Sequence, residues 1–166
     1  MLLGPAAVYF ANSYRLDCLP EGWEGATSEH AGDGQRLRRT RIVAAVRCAP
    51  PQNKPTPTER DTCAPWLDAE LGLIAPTVRA VVALGGFGWD AAWRAYQRLG
   101  YRAPSRPVFG HGAEVALVSP ADGAVPVRLL GCYHPSQQNT FTGRLTEPMI
   151  DAVFARAVAV ADGPAS

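Results

Sequence analysis

Apolar and polar positions along the chain separate into three sharp strand-like runs with helix-length segments between them. The first run, Arg41-Ile-Val-Ala-Ala-Val-Arg47, is short and continuously apolar inside its arginines, the pattern of a buried strand. It feeds Cys48-Ala-Pro-Pro-Gln-Asn-Lys-Pro-Thr-Pro57, which predicts neither helix nor central strand, because proline removes a donor and restricts its predecessor. Thr58 is the predicted N-cap of a first helix, with Glu59 and Asp61 in the turn where the helix dipole favours acids. Gly72 is expected to end that helix just after Leu71.

The second run is Arg79-Ala-Val-Val-Ala-Leu84, followed by a predicted tight turn over Gly85-Gly86-Phe-Gly88 and a helix from Trp89 to Leu99 that Gly100 stops. A Pro- and Arg-containing loop covers 101–113, Glu114 to Val118 is a weaker strand, and Pro120-Ala-Asp-Gly123 is a turn. The third run is Val127-Arg-Leu-Leu-Gly-Cys132. It empties into a long polar loop, Tyr133 to Arg144, after which Thr146, Glu147 and Pro148 start a last helix reaching about Val160. Residues 1–35 show no sustained period and predict loop with one short element near 6–15. Strands alternating with helices predict an α/β domain with a largely parallel sheet and helices on both faces. Ligands bind such sheets at loops leaving the carboxyl ends of the strands, here 48–57 and 133–145.

Composition narrows the class. The 166 residues suit one domain, and 47% hydrophobic with 19% charged residues describes a globular chain. No apolar run reaches the ~18 residues of a membrane span, and the first residues lack the pattern of a signal peptide, so a cytoplasmic monomer is expected. A net charge of +1 argues against strong, charge-driven nucleic-acid binding. Fifteen of the sixteen cations are arginine, Lys54 being the exception.

Chemistry-bearing residues are few. Cys18, Cys48, Cys63 and Cys132 include no C-x-x-C pair, so zinc-ribbon and thioredoxin-type motifs are excluded, and four reduced core thiols are the plain alternative. Cys48 and Cys63 stand out because they flank the proline-rich segment. His134 sits at a strand end, followed by Pro135, Ser136, Gln137, Gln138, Asn139 and Thr140. It is either a surface histidine or the head of a loop suited to reading a nucleobase or a sugar-phosphate backbone. His30 and His111 read as loop residues. Asn53 is either a turn residue or a pre-organised amide facing a ligand, with Lys54 beside it as a phosphate contact. The Gly85–Gly88 turn lacks the full dinucleotide-binding spacing, which leaves an unrelated nucleotide-binding module as a competing class.

Both polar loops together resemble the uracil-DNA glycosylase superfamily, specifically its iron–sulfur family 5, or type B. The resemblance is carried by Ala44-Ala-Val-Arg-Cys-Ala-Pro-Pro-Gln-Asn-Lys-Pro-Thr-Pro57, by Cys63, Trp66 and Glu70-Leu-Gly-Leu73, by Val82-Ala-Leu-Gly-Gly86, and by Tyr133-His-Pro-Ser-Gln-Gln-Asn-Thr-Phe-Thr-Gly-Arg-Leu145. It covers about residues 32–160, leaving 1–31 unmatched and 161–166 as a tail.

That resemblance implies a three-layer α/β/α fold and a monofunctional glycosylase of base excision repair acting on DNA. Its substrate would be uracil, with other deaminated bases as a wider range. By the same resemblance His134 donates a hydrogen bond to the leaving base and Asn53 faces the base edge or the attacking water. Lys54, Ser136, Gln137, Gln138, Asn139, Thr140, Arg144 and Leu145 follow the DNA. Cys48 and Cys63 match two of the four thiolates of a [4Fe–4S] cluster. The family's N-terminal C-x-x-C, its Gly-Leu-Ala-Pro-like strand motif and its Phe-Thr-Gly-Asp-like segment have no counterpart here, Leu3-Gly-Pro-Ala-Ala7 being a faint echo. The expectation is therefore a chain shortened at its N-terminus, with an exposed sheet edge and two cluster ligands short. The alternative function is a catalytically impaired remnant that keeps weak DNA binding.

Overall fold

The computed structural model describes residues 7–12, 39–47, 55–122 and 124–163, with 7–12 described as backbone only. Five strands form one sheet: β1 (Ala7–Asn12), β2 (Thr40–Ala44), β3 (Val78–Leu84), β4 (Glu114–Leu117) and β5 (Val127–Cys132). Their spatial order is β2-β1-β3-β5-β4. Strands β3 and β5 pair in parallel, while β1 lies antiparallel to both β2 and β3, and β4 antiparallel to β5. Three of the five strands thus share a direction, and direct parallel pairing is confined to β3 and β5, so the sheet is mixed. Strand β1 falls inside the element expected near residues 6–15. It occupies an interior place between β2 and β3, and β2 and β4 are the edges of the described sheet.

Four helices complete the described chain: α1 (Pro57–Ile74), α2 (Gly85–Arg98), α3 (Gln137–Phe141) and α4 (Glu147–Asp162). Helices α1 and α2 cover one face, where Leu67, Leu71, Trp89, Ala92 and Tyr96 pack on Val81, Ala83 and Leu129. On the other face Val153, Ala157 and Ala161 of α4 meet Ala80, Val82, Leu130 and Cys132. The three-layer α/β/α arrangement is as expected. The alternation along β3 explains it: both faces of that strand are buried, so its apolar run is continuous.

Element ends differ from the sequence reading for identifiable reasons. Helix α1 starts earlier than Thr58, because Thr56 and Glu59 form a reciprocal capping box and Pro57 occupies N1, where no amide is needed. It also runs past Gly72, since fully buried Leu71 and Ala75 hold the last turn in the core. Strand β2 stops at Ala44 rather than Arg47, where the chain turns away and the Arg47 amide donates to Cys63 Sγ at 3.5 Å. Strand β4 ends at Leu117, with Val118 kept only as an isolated bridge to Arg102. The turn expected at Gly85–Gly88 is absorbed into α2, which begins as soon as β3 ends. Gly100 ends α2 in a left-handed conformation (φ +87°), with Tyr101 N–H reaching Tyr96 O and Gly100 N–H reaching Gln97 O.

Candidate active site

The parallel pairing of β3 with β5 brings two chain segments to one end of the sheet. Leu84 pairs with Cys132, so Gly85 and the Tyr133–His134 segment leave side by side. Gly85 has φ +79°, and a Cβ there would come within 3.3 Å of the His134 Cβ. Two independent constraints therefore require glycine at 85, a backbone sign and a close approach.

The segment after His134 is not an irregular loop as expected, because α3 forms one short helical turn within it. Ser136 caps that turn, its Oγ accepting from the Asn139 N–H at 3.4 Å. Asn139 Nδ2 donates to the His134 carbonyl at 2.8 Å, and Thr140 Oγ1 donates to the Ser136 carbonyl at 3.1 Å. Ser136, Asn139 and Thr140 thus fix the backbone that presents His134, while Gln137 and Gln138 are exposed. Arg144 places its guanidinium carbon 4.9 Å above the Tyr133 ring, a cation–π arrangement.

Leu145 requires a correction. It is 2% exposed and packs with the α4-side core, because its amide bonds back to the Asn139 carbonyl and turns the side chain inward. The exposed apolar side chain of this segment is Phe141, at 83%. Asn53, Lys54 and Cys48 lie outside the described residues.

Two further residues that the sequence places in a loop, His111 and Phe109, complete the site, with Gly131 of β5 making room for them. His111 Nδ1 accepts the Tyr133 N–H at 3.2 Å, and its ring lies 5.1 Å from the Tyr133 ring. With Nδ1 accepting, Nε2 is the ring position left to face the site. Phe109 sits 6.1 Å from Tyr133 and 6.0 Å from Trp89, and it covers the place where a Gly86 Cβ would stand. Gly131 makes room for this loop, since a Cβ there would overlap the Gly110 carbonyl oxygen. The only advance signal was Phe-Gly-His-Gly112, two glycines around one histidine, too short to interpret without its partner strand. Phe109 above Gly86 also weighs against a phosphate-cradling use of that turn, the basis of the competing nucleotide-binding reading.

A family model described as "Uracil DNA glycosylase superfamily" matches residues 8–157. The chain belongs to the uracil-DNA glycosylase superfamily. The match takes in β1, which lies ahead of the stretch where the sequence motifs begin. The chain is 54% identical over 130 residues to the "Type-5 uracil-DNA glycosylase" of Mycobacterium bovis, covering 78% of this chain and 45% of that protein. It is 45% identical over 126 residues to the protein of the same description from Thermus thermophilus, covering 76% and 52%. The corresponding Pyrobaculum aerophilum protein is 41% identical over 127 residues, covering 76% and 50%. The chain spans about half the length of the curated relatives it matches.

Membership of this superfamily's iron–sulfur branch would call for four thiolates. The two described cysteines do not make such a set. Cys132 is buried among α4-side residues, and burial pushes its thiol up to about 11, so it stays protonated. Cys63 lies on α1, one turn before Leu67, across the sheet from Cys132. Among the described residues no group of three or more His, Cys, Asp or Glu side chains could hold a metal ion. Nor is any described helix long and apolar enough to cross a membrane.

Proposed function

We propose that this chain is a uracil-DNA glycosylase of base excision repair, hydrolysing the N-glycosidic bond of uracil in DNA, with other deaminated bases as a wider range. The observation that carries the reading is His134 at the carboxyl end of the parallel β3–β5 pair, with its backbone tied by Asn139 and its predecessor by His111. Family membership and relatives whose printed name is type-5 uracil-DNA glycosylase support the same reading.

The chemistry follows from what bond cleavage does to charge. A base must first leave the stack, which costs a few kcal/mol. As the C–N bond breaks, its electron pair moves onto the pyrimidine and a positive charge grows on the sugar, where water then adds. An imidazole N–H of His134 donates to the carbonyl oxygen that gains charge. A fixed donor of this kind contributes about 2.7–4 kcal/mol to the transition state. Holding the His134 carbonyl through Asn139 limits the reorganisation needed when that charge appears. Asn53 faces the base edge or the attacking water in this reading.

DNA contacts fall to Lys54, Gln137, Gln138 and Arg144, and to Ser136, Asn139 and Thr140 through the backbone they hold. Exposed Phe141 is the part of this loop placed to fill the gap left by the flipped base. Cys48 and Cys63 are candidate thiolates of a [4Fe–4S] cluster, and no step of the reaction is assigned to it. The protein acts as a cytoplasmic monomer in this reading.

Incubating the chain with an oligonucleotide carrying one uracil, then treating with alkali, tests the proposal. Strand breakage at the uracil position is expected. Intact DNA after incubation with excess enzyme contradicts it and favours a remnant that binds DNA without releasing a base.

A further inference from the structure

Near-neutral overall charge leaves open where a DNA backbone would be held, and the pairing of the arginines answers this. Most of the described arginines are spent on carboxylates: Arg41 and Arg47 on Glu70, Arg98 on Asp68 at 2.7 Å, and Arg128 and Arg156 on Glu114. Arg79, Arg94, Arg102, Arg106 and Arg144 have no carboxylate within salt-bridge reach among the described residues, and of these Arg94 and Arg106 are exposed and share a groove. They line one groove of about 430 Å³ between α2 and the 101–113 loop, together with Trp93, Gln97, Ser105 and Asp90. Asp90 reduces the local charge by one and leaves the groove net positive.

The 101–113 loop links this groove to the site, since it lines the groove at Ser105 and Arg106 and reaches Tyr133 at Phe109. Trp89 Nε1 donates to the Pro107 carbonyl at 3.4 Å, which fastens the loop to α2. Three residues beyond Arg106 stands Phe109, which covers Gly86 and faces Tyr133. Three residues span at most about 11 Å. With the 6.1 Å from Phe109 to Tyr133 added, a DNA strand advancing about 3.4 Å per nucleotide passes from the Tyr133–His134 segment to Arg106 within about five nucleotides.

We infer that the Arg94–Arg106 groove is a second DNA-backbone site, in which the two guanidiniums contact phosphates flanking the flipped nucleotide. This rests on the glycosylase reading for its direction, yet it concerns DNA binding and can be tested without turnover. Guanidiniums suit the role because they present a planar fork of donors to phosphate oxygens. The Gln97 amide and Ser105 hydroxyl add neutral donors, and none of these groups reads a base.

The experiment is a salt titration of binding to uracil-containing and uracil-free duplexes, followed by fluorescence anisotropy. Arg94→Gln/Arg106→Gln is expected to weaken both duplexes equally, by about 3- to 10-fold near 50 mM salt. The slope of log affinity against log salt should become shallower by about two, one for each arginine. Arg94→Lys/Arg106→Lys should keep most of the slope, and Arg156→Gln, which removes a charge elsewhere, should leave it unchanged. An unchanged slope in the double Gln variant, with a circular dichroism spectrum like that of the parent, overturns the inference, as does an intact chain that binds neither duplex. A slope that falls as expected in a chain that releases no uracil keeps the groove and removes the glycosylase reading. Uracil release with an unchanged slope does the reverse.

Discussion

His111 shows how much one hydrogen bond can decide at the residue scale. Its Nδ1 receives the amide of Tyr133, the residue just before His134, so it sets the exit angle of the segment that carries the proposed donor. In that role His111 is a positioning residue. His111→Asn can still offer an acceptor oxygen to the Tyr133 amide, whereas His111→Phe keeps the aromatic contact but offers none. The expected result is a kcat lowered about 10- to 100-fold in the Phe variant with KM nearly unchanged, and largely restored in the Asn variant. Equal losses in both variants would point to the imidazole Nε2–H as the important group instead. The residue was hidden in the sequence because its meaning lies in a partner 22 positions away, just past the end of β5. His134 was legible because its own neighbours are informative: a proline, an N-cap serine and an asparagine that all act within five residues. Leu145, expected to follow the DNA, shows the complementary case, since an apolar residue ending a polar loop is equally a surface contact or a core anchor. Only the bond from its amide to Asn139 distinguishes the two.

Elements are where the sequence was most readable: the short turn α3 escaped it, and the other differences lie at element ends. Strands β3 and β5 and helices α2 and α4 were legible because their apolar residues follow one period and their boundaries carry glycine, proline or capping residues. The start of α1 was misplaced by two residues because Thr56 and Thr58 are both plausible caps, and only Thr56 has Glu59 at N3. That capping box carries a prediction. Thr56→Ala removes the side-chain acceptor for the Glu59 amide and should lower stability by about 1 kcal/mol, read as a lower midpoint in urea unfolding. Thr58→Ala, lying inside the first turn, should change the midpoint much less. A larger effect at Thr58 would show that the helix begins where the sequence first suggested.

A second prediction ties β4 to α4. The Arg156 guanidinium, which donates to Glu114 at 2.8 and 2.9 Å, holds the Glu114 carboxyl below its ordinary value of 4.5. A lowered folded-state value means that the pair stabilises the fold above about pH 4.5 and loses this contribution as pH falls through the lower, folded value. The stability difference between parent and Glu114→Gln should therefore be flat above that pH and shrink below it. Solvent screens the pair, so the difference is small, at most about 1 kcal/mol. A difference that grows on acidification would assign the stabilising role to another group.

For the whole molecule, the layered α/β/α plan was legible from alternation alone, but the direction of β1 was not. Residues 7–12 carry no distinctive pattern, and their antiparallel place between β2 and β3 is set by tertiary pairing rather than local sequence. That place matters because β1 joins β2, which leads toward the proline-rich segment bearing Asn53, to β3, which leads to Gly85 and the His134 end of the sheet. One sheet thus carries β2 and β3, the strands that precede in sequence both the proline-rich segment and Gly85. The superfamily match over residues 8–157 spans the same body. The account stands or falls on whether this body releases uracil through His134. Single-turnover excision from a uracil-containing duplex, compared between the parent chain and His134→Ala, measures this directly. Base release by the parent is expected, with a loss of about 10²–10³ in rate for the variant and little change in duplex affinity. Equal rates in the two proteins, or no release by the parent at saturating concentration, would contradict it.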